Sequence, residues 1–136
     1  MLWSYEEHLA EKLGSSATVD ENERMKIWRL RAVDSIEHIF PQNPTGTAWR
    51  GKMRFPDGTD HPLEANVGRI GNLLILPVQL NQEVQNSPFD KKKETYAKHN
   101  LRMVQEVCKA SDWTFSEIEA REARIAAWAK TRWCDV

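Results

Sequence analysis

Ser35-Ile36-Glu37-His38-Ile39-Phe40-Pro41-Gln42-Asn43 is the stretch on which the reading of this chain turns. Residues 35–40 are short, β-branched and aromatic, and Pro41 cannot donate to a ladder, so the run reads as a strand or strand-like turn that ends there. Glu37 and His38 are adjacent, and in a regular strand they face opposite ways. Both serve one site only if the strand bends or ends beside them. Working outward, Gly71-Asn72-Leu73-Leu74-Ile75-Leu76-Pro77 is a second strand. Between the two, residues 42–69 are loop-rich. Within them Arg50, Lys52 and Arg54 alternate with Gly51, Met53 and Phe55, a period of two that suits one arm of a small hairpin turned by Pro56-Asp57-Gly58-Thr59.

The flanks read as helix. Leu2, Tyr5, Leu9 and Leu13 share a helical face that Gly14 ends; residues 15–22 are polar, and 23–33 resume helical spacing with Ile27, Leu30 and Met25 turned inward. Ser87-Pro88-Phe89-Asp90 supplies a cap residue, an early proline and an acid for a helix over 88–99. Leu101, Val104 and Cys108 continue one over 101–109. Thr114-Phe115-Ser116-Glu117 is a capping box opening a helix to about 133, with Ile118, Arg121, Ile125, Trp128 and Arg132 inward. Helices around a very small sheet make the class α+β.

Composition narrows the function. The chain has 136 residues, 40% apolar and 29% charged, the size and balance of one globular domain with a core of its own. No apolar run approaches the ~20 residues that span a bilayer, and Glu6 and Glu7 rule out a basic-then-apolar leader at the start. Membrane and exported readings fall away. Cys108 and Cys134 form no Cys-x-x-Cys pair, which removes a zinc knuckle and a disulfide framework and points to a reducing, cytoplasmic compartment. Net charge is −1, with 8 basic against 11 acidic residues over 1–68 and 11 against 9 over 69–136. Any contact with a polyanion is therefore local. Of six tryptophans, Trp49 alone is placed to touch a nucleotide; Trp113, Trp128 and Trp133 fall at core helical positions. His8, His61 and His99 have no partner spacing.

Strand, loop, strand, helix, with an acid–His pair on the first strand, Asn72 on the second and Asn81 nine residues later, resembles the ββα-metal (HNH) nuclease motif. The blocks Ser35 to Asn43, Ile70 to Leu76, Leu80-Asn81, Phe89 to Lys91-Lys92-Lys93, and the late Trp113/Ile118/Arg121/Trp128 pattern are similar, in order and context, to the C-terminal nuclease domain of GmrSD-type, modification-dependent restriction proteins. The resemblance covers about residues 32–133. It implies an α+β fold with a ββα-metal core, a two-to-four-stranded antiparallel sheet flanked by helices, and residues 1–31 as a helical junction to an N-terminal domain. It implies a metal-dependent DNA endonuclease, the effector of an antiphage restriction system, working with a nucleotide-hydrolysing sensor domain or subunit.

Phosphodiester hydrolysis needs an activated water, neutralised phosphate charge and help for the departing oxygen. In the family pattern His38 is the general base. Glu37 and Asn81 hold one Mg²⁺, for which Mn²⁺ substitutes. Asn72 orients the His38 segment, and Lys91, two residues after Phe89, assists at phosphate. Glu37 departs from the aspartate common in such nucleases, and Asn81 from the usual histidine. Other readings stand beside these. Asn72 after Gly71 also reads as a turn residue, and Asn81 as a helix cap. Arg50, Lys52 and Arg54, with Lys92 and Lys93, read either as a track for DNA or as solvated faces. A catalytically inactive module that binds DNA or a partner protein is the alternative function, and RNA is a possible substrate.

Overall fold

The β-branched run after Ser35 pairs antiparallel with the leucine-rich run after Asn72. In the computed structural model, which describes residues 1–12, 22, 25, 35–54, 57–60, 62–99 and 101–134, these are β1 (Ile36–His38) and β2 (Leu73–Ile75). Ile36 faces Ile75, Glu37 faces Leu74 and His38 faces Leu73. The ladder runs one bond further at each end, from the Ile39 N–H to the Asn72 carbonyl (3.0 Å) and from the Leu76 N–H to the Ser35 carbonyl (2.8 Å). Among the described residues the sheet has these two strands. A sheet so short is marginal alone, and helices cover it.

In chain order the elements are α1 (Leu2–Lys12), β1, α2 (Leu63–Asn66), a 3₁₀ turn (Ile70–Asn72), β2, α3 (Val78–Val84), α4 (Phe89–Tyr96), α5 (Arg102–Cys108) and α6 (Phe115–Trp133). The class is α+β, as the sequence reading expects. The Thr114/Glu117 capping box opens α6 as expected, and its buried stripe is Phe115, Ile118, Arg121, Ile125 and Trp128. Arg132, expected inward, is exposed. It lies one turn beyond Trp128, where the helix has run past the core.

Several expectations shift. Residues 50–54 form no strand. Arg50 donates its N–H to the Thr47 carbonyl and Lys52 to that of Trp49, so the chain coils, and only an isolated bridge joins Arg54 to Asp60. Trp49 and Met53 are buried and Arg50 and Arg54 exposed, but Gly51, which an extended alternation would turn inward between the first two, is exposed as well. Phe55, Pro56 and His61 lie outside the described residues, as do Leu13, Gly14, Ile27 and Leu30; Met25 is exposed. In α1 the buried positions are Trp3, Tyr5, Glu6 and Ala10, with Leu2 and Leu9 only partly covered. The face is rotated because Glu6 turns inward to accept the N–H of Met103 (2.7 Å) and that of Arg102, satisfying donors at the start of α5 that have no intrahelical acceptor. Pro88, not Ser87, is the N-cap of α4. Trp49 is 3% exposed, its indole N–H bonded to the Asn86 carbonyl (3.3 Å) and its ring against Phe40, so it is core. Trp133, expected in the core, is 41% exposed.

Candidate active site

The strand's two key residues, Glu37 and His38, line one cleft. His38 is half-buried and stands in an open cleft of roughly 300 Å³, whose walls are Ile36, Glu37, His38, Pro41, Gln42, Asn43, Asn81, Gln85 and Asn86. Asn81 reaches this cleft from the middle of α3, not as a helix cap. Its Nδ2 donates to the Ile36 carbonyl (3.0 Å), which ties the helix to the strand and fixes the plane of the amide. His38 and Asn81, forty-three positions apart, thus meet in one cleft.

Asn72 lies wholly buried behind it. Its Oδ1 accepts the Phe40 N–H (2.8 Å) and the Trp113 indole N–H (3.1 Å), and its Nδ2 donates to the carbonyls of Phe40 and Val67 (both 2.9 Å). The side chain holds Phe40 from both sides of its peptide unit, two residues past His38. A plain turn residue has no reason to be so enclosed.

The Glu37 side chain is 3% exposed. Its Oε1 accepts from Lys92 Nζ (2.6 Å) and from the Tyr96 hydroxyl (2.8 Å). Both bonds fall on Oε1, so ligation of a metal by Glu37 through Oε2 leaves these two partners in place. Burial raises its pKa, opposed by the charge and hydrogen bond of Lys92; burial lowers that of Lys92, opposed by Glu37. The His38 imidazole is pushed below its ordinary value, first by burial and then by the charge of Lys92, which favours its neutral form.

The lysine that reaches this region is Lys92, not Lys91. Lys91 is exposed and paired with Glu94 (3.2 Å), because on α4 it points a hundred degrees away from the inward stripe. Phe89, Lys92 and Tyr96, spaced by three and four, form that stripe; the spacing was available in the sequence, and a lysine on it was the signal. Lys92, also a candidate DNA contact, is fully buried and cannot touch DNA. Lys93 bonds the Ala110 carbonyl (3.3 Å) and lies near Asp90. Lys52 pairs with Asp112 and Arg54 with Asp60 (3.0 Å), while Arg50 is exposed. The three cations of the expected track thus point to separate partners or to solvent. What sequence reasoning missed is Tyr96 and the amides Gln42, Asn43, Gln85 and Asn86. Gln85 carries a positive φ of 23°, a strained backbone at the cleft's edge.

The cleft's chemistry suits a hard cation in a particular way. Its lining residues offer amide oxygens, the Glu37 carboxylate and an imidazole with no thiolate, a set favouring Mg²⁺ or Mn²⁺ over softer metals. Among the described residues no three His, Cys, Asp or Glu cluster to hold a metal themselves. A cation here would be coordinated largely by water and substrate phosphate.

A family model described as GmrSD restriction endonucleases, C-terminal domain, matches residues 1–128. No curated protein and no solved structure matches the chain. Among the described residues no helix is long and apolar enough to cross a membrane.

Proposed function

Because the chain belongs to the GmrSD restriction endonuclease C-terminal domain family, we propose that it is a metal-dependent nuclease module hydrolysing DNA phosphodiester bonds in an antiphage restriction system of the cytoplasm. One observation carries this reading: His38 and Asn81 share one open cleft while Asn72 grips the peptide unit just beyond His38.

His38 is the general base. A neutral imidazole at the cleft wall accepts a proton from water as that water attacks phosphorus, and burial together with Lys92 favours that neutral form. Glu37 and Asn81 are the protein's ligands for the cation: Asn81 through its amide oxygen, with the Nδ2–Ile36 bond holding it beside β1, and Glu37 through Oε2, since Lys92 and Tyr96 both bond Oε1. When bound, Mg²⁺ or Mn²⁺ supplies Lewis-acid neutralisation of the scissile phosphate and the departing oxygen. Asn72 positions the His38 segment. With a net charge of −1 this module binds DNA weakly by itself, and targeting comes from a nucleotide-hydrolysing sensor domain or subunit.

Nicking of supercoiled plasmid with Mg²⁺ or Mn²⁺ tests the reading. The wild-type protein is expected to nick, to stop on chelation, and to lose on the order of 10²–10⁴ in rate as His38→Ala. Equal rates for the two proteins remove His38 as the base. Absence of nicking by the wild type favours a DNA- or partner-binding module.

A further inference from the structure

Helix α4 turns Phe89, Lys92 and Tyr96 inward, all three buried, and Lys92 and Tyr96 reach β1. Lys92 Nζ donates to Glu37 Oε1 at 2.6 Å and also to the main-chain carbonyl of His38 at 2.9 Å. The Tyr96 hydroxyl, one helical turn on, donates to the same Oε1 at 2.8 Å. Two residues of one helix thereby grip two consecutive strand residues, and one of the bonds falls on His38 itself.

Two ordinary explanations of such a lysine fail here. Lys92 is 0% exposed, so it cannot neutralise a phosphate in the cleft. Nor is a buried ion pair an economical way to hold a fold together, since desolvating both charges offsets much of their attraction, and apolar replacements of similar volume are often neutral or stabilising. What the arrangement does supply is direction. β1 has three residues, and beyond it Asn72 fixes Phe40. Lys92 fixes the carbonyl of His38 itself, so the peptide units on the C-terminal side of His38 are held at two points.

We propose that Lys92, backed by Glu37 and Tyr96, is a positioning residue that sets where the His38 imidazole stands in the cleft. The inference rests on His38 being the base, and it gives Lys92 a task distinct from phosphate contact.

The test uses the full chain as wild type, Lys92→Met, and the double variant Glu37→Gln with Lys92→Met, which leaves no unpaired buried charge. Three readouts are taken: steady-state nicking, the salt dependence of binding to a short duplex, and the ¹H–¹⁵N resonances of the His38 imidazole. The double variant is expected to fold with a urea midpoint near that of the wild type. Its kcat should fall by on the order of a hundredfold with KM and the slope of log Kd against log salt unchanged, and the His38 resonances should shift. Unchanged kcat in the folded double variant overturns the proposal, and so do His38 resonances that stay unmoved in the metal-free protein, since a kcat loss without them marks a lost metal ligand. So does a salt slope reduced by about one, the mark of a lost phosphate contact. Failure of the double variant to fold also overturns it, because the pair would then serve the fold and not His38. If the wild type cuts no DNA, the nuclease reading falls, and the strut is judged by the His38 resonances alone: shifted in the double variant, it stands; unmoved, it fails.

Discussion

Asn72 concentrates more hydrogen bonding on the candidate site than any other uncharged side chain described here. Four bonds at 2.8–3.1 Å join it to Phe40, Val67 and Trp113, and none of its surface meets solvent. Asn72→Ala strands two N–H donors and two carbonyls in the interior. At about 1 kcal/mol for each broken bond, the variant should lose on the order of 3–4 kcal/mol, readable as a lowered urea midpoint. Its residual folded fraction should nick far more slowly than wild type. A variant of near-native stability and full rate would show that the amide network orients nothing. Asn72 was legible in the sequence as a residue after glycine at a strand edge. Lys92 was less so: three lysines in a row look alike until the helix phase is known, and that phase is set by the burial of Phe89 and Tyr96.

At the scale of elements, the 3₁₀ turn and α6 decide whether Asn72 is held in place. Gly71 packs so closely on α6 that an added Cβ would stand 2.1 Å from the Ile118 carbonyl oxygen. Arg121, wholly buried, reaches across from α6 and donates Nη1 to the carbonyls of Gly71 (3.0 Å), Leu73 (2.7 Å) and Ile70 (3.3 Å), while its Nε bonds Glu106 (2.9 Å). The guanidinium thus satisfies the turn's carbonyls where water has no access. Gly71→Ala must separate the turn from the helix backbone, not merely move a flexible side chain. A loss of about 3 kcal/mol or more is expected, measured by chemical denaturation, with weakened nicking because Asn72 moves with the turn. A loss below about 1 kcal/mol would mean that the turn and helix are less tightly docked than described.

Across the whole molecule, carboxylates on separate segments fasten loops to the helical layer. Glu122 of α6 accepts from Arg69 at 2.7–3.2 Å, and this bond lowers its pKa against the opposing effect of burial. Burial alone would raise Asp112, but hydrogen bonds from Lys52 and from its neighbour's N–H bring it below its ordinary value. A carboxylate depressed in the folded state contributes stability above its unfolded pKa and loses it as pH falls through the folded value. Glu122→Gln should therefore cost on the order of 1 kcal/mol at pH 7. The difference from wild type should shrink as pH falls below about 4.3, the unfolded carboxyl value, and vanish once both states are protonated. Urea denaturation of both proteins between pH 7 and pH 3 measures it; a difference that stays constant across that range would contradict the Arg69 pairing.

What the sequence determined by itself is local. Pro41 ends β1, the Thr114/Glu117 box starts α6, the two short apolar runs become strands, and the ordered blocks around His38, Asn72 and Asn81 identify the family; each depends on neighbours a few residues away or on residue types in a set order. Tertiary structure alone decided which of Lys91, Lys92 and Lys93 turns inward, that Glu37 is paired with Lys92 and Tyr96, that Trp49 is core, and that residues 50–54 coil instead of extending. Those outcomes depend on which surfaces are buried against one another. A single chain's periodicity does not carry that information when a charged residue lies on an inward face and a basic alternation runs through a loop.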